Sequence, residues 1–179
     1  MSNATKTLFA TLLITTFGAL ILSHWNSLSA PETTDGAAIP EFDITEVDRI
    51  TIENATSGGW IEVSYNHEAE RWEVHLSENG RNESPEEVND FIEALSKPDI
   101  HREVTSNPSR HSDYHVDHTG IQLRWYKDGN EKGGVILGRF NFEGAGGAEV
   151  FIRPMESDGV YAADVNLITT TQRLQELYR

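Results

Sequence analysis

Residues 110–120, RHSDYHVDHTG, gather His111, Asp113, His115, Asp117 and His118 into one short run. Imidazole and carboxylate ligands suit zinc, manganese or iron, and water bound to such an ion would be a hydrolytic nucleophile. In an extended chain His111, Asp113, His115 and Asp117 project to one face, because side chains alternate. The same geometry separates successive members of that face by about 6–7 Å, too far for one strand to surround a single ion. Only a pair could act together, with further ligands brought from elsewhere. Asp, Ser, Thr and Gly are also the residues of a loop that leads into a strand. The spacing therefore favours a loop. His111, Asp113, His115 and His118 stand as the candidate metal ligands of a second reading, and no metal or cofactor is expected.

Other constellations carry less chemistry. In GRFNFEGAGGAEV the glycines Gly144, Gly146 and Gly147 suggest a phosphate loop. The dinucleotide fingerprint needs a further glycine where Glu149 stands, and then a helix, whereas the residues that follow alternate as a strand. Carboxylates are so abundant that no pair stands out as acid and base. Ser64, Ser77 and Ser157 lie in no nucleophile elbow. No catalytic residue is assigned, and the chain is not expected to be an enzyme. Its tryptophans fall at strand periodicity and read as core. Trp60 and Tyr65 would serve the alternative of a small-molecule or glycan-binding module.

The elements that must position these residues begin after an unusual N-terminus. TLFATLLITTFGALILSHW, 7–25, carries no acidic or basic residue other than its histidine. As a helix it covers about 28 Å, close to the apolar thickness of a bilayer. Lys6 precedes it, while Glu32, Asp35, Glu41 and Asp43 follow before the next basic residue, Arg49. The positive-inside rule then places residues 1–6 in the cytoplasm and the rest outside. Leu8, Leu12, Phe17, Leu20 and Leu22 face lipid in this reading, and Trp25 sits at the interface. A cleaved signal peptide ending at SLSA, Ala30, fits the same residues. A small, polar, proline-containing linker occupies 26–41, and an extracytoplasmic domain occupies 42–179.

Of 179 residues, 29 are acidic and 14 basic, for a formal charge of −15. Nucleic acid is a poor partner for such a surface, since phosphate binding needs clustered positive charge. A salt-loving source and an ordinary acidic periplasmic domain both account for the excess. The chain contains no cysteine, which excludes disulfides, thiolate metal sites and a lipidated cysteine.

Alternation marks the strands. EVDRITIEN, WIEVSY and RWEVHL place apolar residues at every second position, separated by Gly58-Gly59 and NHEAE. Ser84-Pro85-Glu86-Glu87 starts a helix, with Val88, Phe91, Ile92 and Leu95 on one face. IHREV, GIQLRWY, GGVILGRF, AEVFIRP and GVYAAD are further strands, with a hairpin turn at Asp128-Gly129. Asn166 caps a last helix with Leu167, Leu174, Leu177 and Tyr178 in a stripe. The expected fold is α+β: an N-terminal transmembrane helix, then an antiparallel β-meander with one internal and one C-terminal helix.

In order, FDITEVDRITIEN, RWEVH, IEALSK, YHVDHTGIQLRWY, VILGRF, EVFIRP and GVYAADVNL resemble the uncharacterised bacterial family catalogued as domain of unknown function 4340. The resemblance runs from about Phe42 to Leu167. It implies a membrane-anchored protein with an accessory role beside a membrane complex, such as an ABC-type transporter, in the bacterial inner membrane. It defines no catalytic residue. The matching positions Gly120, Gly138, Arg153 and Tyr161 read as turn and core, and His111, His115 and His118 as decoration of this chain. The expected function is that of a non-catalytic, single-pass membrane protein whose outer domain serves as an accessory or assembly subunit. The alternatives are the ligand-binding module above and a metal-dependent hydrolase built on residues 111–118.

Overall fold

Strand alternation is realised as an antiparallel sheet of eight strands with two helices, an α+β arrangement. The computed structural model describes residues 42–44, 46–54, 58–76, 86–144 and 147–177. The strands are β1 (Arg49–Asn54), β2 (Gly59–Asn66), β3 (Arg71–Leu76), β4 (Ile100–Thr105), β5 (Ile121–Lys127), β6 (Asn130–Gly144), β7 (Gly147–Pro154) and β8 (Val160–Asp164). The helices are α1 (Glu86–Ser96) and α2 (Asn166–Leu177), and a 3-10 helix spans Pro108–Tyr114. The segment 7–25, with Leu8, Leu12, Phe17, Leu20, Leu22 and Trp25, lies outside the described residues, as does the linker up to Glu41. Among the described residues no helix is long and apolar enough to cross a membrane.

The sheet order is β3-β2-β1-β5-β6-β7-β8-β4. A single meander would have set β4 beside β3. Instead there are two meanders, β1 to β3 and β5 to β8, joined where β1 pairs with β5, Ile52 opposite Leu123. The chain passes through α1 between the two edges, from β3 to β4, and β4 pairs with β8. The reason is packing. α1 buries Val88, Phe91 and Leu95, and this apolar face can be covered only by lying on the sheet with α2.

Two cores result, one on each face. Ile50, Ile52, Val63, Val74, Leu123, Val135, Leu137, Val150 and Ile152 point to the helical side, where they meet Phe91, Leu95, Leu167, Ile168 and Leu174. The smaller core on the other face comprises Val104, Tyr114, Val116, Ile136, Phe151, Val160 and Ala162. β7 and β8 are thus buried on both faces, which explains why VFI and VYAA are continuous apolar runs rather than alternating ones.

Local signals set the ends. Asp128 and Gly129 both take positive φ, 50° and 78°, as a tight hairpin turn requires. At α2 the starting group is Asp164, whose Oδ1 accepts from Asn166 N at 2.7 Å, rather than the Asn166 side chain. The apolar stripe of α2 runs through Leu167, Ile168 and Leu174, with Thr171 buried among them. Tyr178 lies outside the described residues.

Candidate functional site

The segment that raised the question of a metal is a clasp over the second core. Asn107 opens its 3-10 helix by accepting from Ser109 N at 3.0 Å, with Pro108 inside the first turn. His115 ends it in the left-handed conformation at φ 56°, a region histidine tolerates better than most residues. Tyr114 then drops into the core against Phe151, ring centroids 4.7 Å apart and edge to face, and Val116 follows it, fully buried.

This geometry disperses the histidines and aspartates. A 3-10 helix turns every three residues, so the single face of an extended chain is lost. His111 is half-buried and its Nε2 lies 2.9 Å from the Asp158 carbonyl oxygen, tying the clasp to the β7–β8 turn. Asp113 pairs with Arg110 at 3.4 Å, and His115 is exposed. The His118 side chain is 87% exposed, with Nδ1 3.8 Å from Asp117. Among the described residues no three His, Cys, Asp or Glu side chains converge as a metal set. Asp117 instead accepts from Thr119 N at 3.0 Å and Thr119 Oγ1 at 2.6 Å. Those bonds, the hydroxyl's first, hold its carboxyl below the usual range.

Two arginines that the sequence did not mark as partners fasten the clasp. Arg139 of β6 donates through Nε to Asp113 O at 2.8 Å. Arg153 of β7 donates to Val116 O at 2.9 Å and Ser157 O at 3.0 Å, with longer bonds to the carbonyls of Pro154 and Met155. Burial pushes the Arg153 guanidinium pKa down, while Asp158 and Asp117 push it back. Glycine supplies the room. A Cβ on Gly120 would lie 2.5 Å from both His115 O and Ile136 Cγ2, and one on Gly138 would collide with Tyr114 O and Val116 Cγ1. Gly120, Gly138 and Arg153 are therefore packing positions, and so is Tyr161, where burial and then Glu103 raise the phenol. The available signal was an arginine in FIRP and in LGRF, each closing an apolar run.

The clasp covers only the β6-β7-β8-β4 half of its face. Over β3-β2-β1-β5 the same face carries polar side chains. Arg49 lies 4.1 Å above the Tyr126 ring and 3.3 Å from Glu62. Arg124 bonds both oxygens of Glu131, at 3.2 and 3.3 Å, and Gln122 at 3.0 Å. Ser64 Oγ and His75 Nε2 are 2.7 Å apart. Among the described residues no carboxylate bonds the other ring nitrogen, the third member a nucleophile and base pair needs. Trp60, expected in the core, stands on this open face at 40% exposure, opposite Glu53 in register. Tyr65 points to the other face, half-buried edge-on to Trp72 at 5.4 Å.

Two further features lie elsewhere. A cavity of about 370 Å³ between the C-terminal half of α1 and the start of α2 is lined by Asp90, Glu93, Lys97, Asp99, Asp164 and Thr170, among others. Phe142 is 76% exposed on β6, stacked on Phe140 at 5.8 Å. Compared with known proteins, the chain matches no family model, no curated protein and no solved structure.

Proposed function

We propose that the chain is a single-pass protein of the bacterial inner membrane whose extracytoplasmic α+β domain is an accessory or assembly subunit of a membrane protein complex. The single observation that carries this is the uncharged span 7–25, followed by a stretch whose only charged residues before Arg49 are acidic. The fold supports it in a second way. Among the described residues, one sheet face is covered by helices, half of the other by the clasp, and the remaining half displays side chains on a four-stranded floor. A domain held at a membrane needs only a modest interface, because the anchor raises its effective concentration beside any neighbour in the same bilayer. The resemblance to the domain of unknown function 4340 family points to a transporter of the ABC type as that neighbour. Copurification in mild detergent tests the proposal: a companion integral membrane protein is expected, and a monodisperse monomer without one overturns it.

The exposure of Trp60 favours one second reading, a periplasmic module for a glycan or small molecule that stacks on the indole. A Trp60-dependent fluorescence change with a neutral oligosaccharide would support it.

A further inference from the structure

We propose that the open half-face centred on Trp60 docks a basic segment of the partner protein, with a lysine or arginine seated over the indole and against Glu53. This rests on the accessory-subunit reading and names the surface and the chemistry of its partner. Three observations combine. Trp60 is one of two large apolar side chains left exposed among the described residues, and it stands on an otherwise polar face. Glu53 lies directly across the β1–β2 ladder from it, exposed and with no ion-pair partner among the described residues. The guanidinium groups on the described part of this face of β1 and β5 are already committed, Arg49 to Glu62 and Tyr126, Arg124 to Glu131 and Gln122.

Among the described residues no positive charge lies beside Trp60 and Glu53. A cation over an indole is held by the ring quadrupole, and a carboxylate on the paired strand can fix its position. The formal charge of −15 steers basic segments toward the domain from any side, and Trp60 beside Glu53 adds an aromatic platform next to a carboxylate unpaired among the described residues. Size is consistent with a tethered partner. Four strands at ~4.8 Å spacing and six residues at ~3.4 Å give a face of roughly 400 Å². A stable free complex uses about 800 Å² on each side, so this contact needs the shared membrane to be occupied.

The experiment uses the full chain in mild detergent and a fluorescein-labelled peptide of alternating arginine and serine, read by anisotropy. Trp60→Ala and Glu53→Gln should each weaken binding roughly two- to fivefold, the equivalent of an exposed cation–π contact. Glu156→Gln, which removes an exposed carboxylate from the β7–β8 turn, should leave it unchanged. Equal weakening by all three variants means diffuse charge attraction and overturns the proposal. So does a Trp60→Ala protein that binds like wild type, or Trp60-dependent binding of a neutral oligosaccharide without the peptide. Circular dichroism confirms that each variant folds, and Glu53→Gln on the surface keeps the test open if Trp60→Ala does not. In membranes the two ideas part. A companion that copurifies with wild type and equally with both variants removes this docking face and leaves the accessory role standing. The lack of any companion removes the accessory role itself.

Discussion

Replacing Arg153 with methionine keeps most of the side chain's apolar stem and removes its donors. In the native protein that guanidinium serves four carbonyls, of which Val116 O at 2.9 Å and Ser157 O at 3.0 Å are the strong bonds. Val116 is fully buried, so its carbonyl loses its arginine donor when the arginine is gone. An acceptor stranded in that way costs about 1–3 kcal/mol, and the Ser157 bond, nearer to water, adds ~0.5–1.5 kcal/mol. The midpoints of the two costs come to about 3 kcal/mol, which partial relaxation lowers to about 2–3 kcal/mol. For a domain of this size, each kcal/mol moves the thermal midpoint by roughly 3–4 °C, so Tm should fall by roughly 6–12 °C. Near-ultraviolet circular dichroism of the full chain in detergent reads that fall. Hydrogen exchange localises it: the amides of Val116 and Gly120, which bond His111 O and Asp117 O, should lose protection first. Amides of β1 and β2 should be spared until global unfolding. A midpoint within about 1 °C of wild type, with clasp protection unchanged, would show that Arg153 does not hold the segment down.

Two other outcomes follow from the same contacts. Gly138→Ala drives a methyl into Tyr114 O and Val116 Cγ1, so the clasp must lift, at about 1–3 kcal/mol, and the edge-to-face contact of Tyr114 with Phe151 should weaken in the aromatic side-chain nuclear Overhauser spectrum. Asp117 has a depressed folded pKa, so its contribution is present in full above the ordinary value of 3.8 and is lost as pH falls through the lowered one. Thr119→Ala removes the largest cause of that depression, and carbon-detected titration of the Asp117 carboxyl should show its pKa rising toward 3.8. An unchanged value would mean that another group holds the carboxylate.

How much of this was legible depended on whether a residue's partners were near in sequence. The period-two runs of β1, β2 and β3 and the Asp128-Gly129 turn follow from local rules, and so does the face Val88, Phe91, Leu95 of α1. The β1–β5 pairing joins residues about seventy positions apart and has no local signature. It decides that β1 and β5 are interior strands, while β7 and β8 are buried twice because the helices cover one face and the clasp the other. The clasp was hidden for the same reason. Tyr114 and Val116 are two apolar residues in a polar stretch, and their significance depends on Ile136, Phe151, Val160 and Ala162 sharing a face. Trp60 misled in the opposite direction, since strand periodicity places it on a face but does not say whether that face is covered. The histidines drew attention by residue type, whereas Gly120 and Gly138 govern the segment by leaving space.

The place of β1 in the sheet has a mechanical meaning. The chain enters the domain through Phe42, Ile44 and Val47 and runs directly into a strand flanked on both sides, by β2 and by β5. Tension arriving from the N-terminal side is divided between two ladders and loads their hydrogen bonds together in shear, so they cannot yield one at a time. The same pull on the other terminus would peel α2 away turn by turn. An anchor at residues 7–25, as proposed, would therefore pull on a strand held along both edges rather than on a terminal helix.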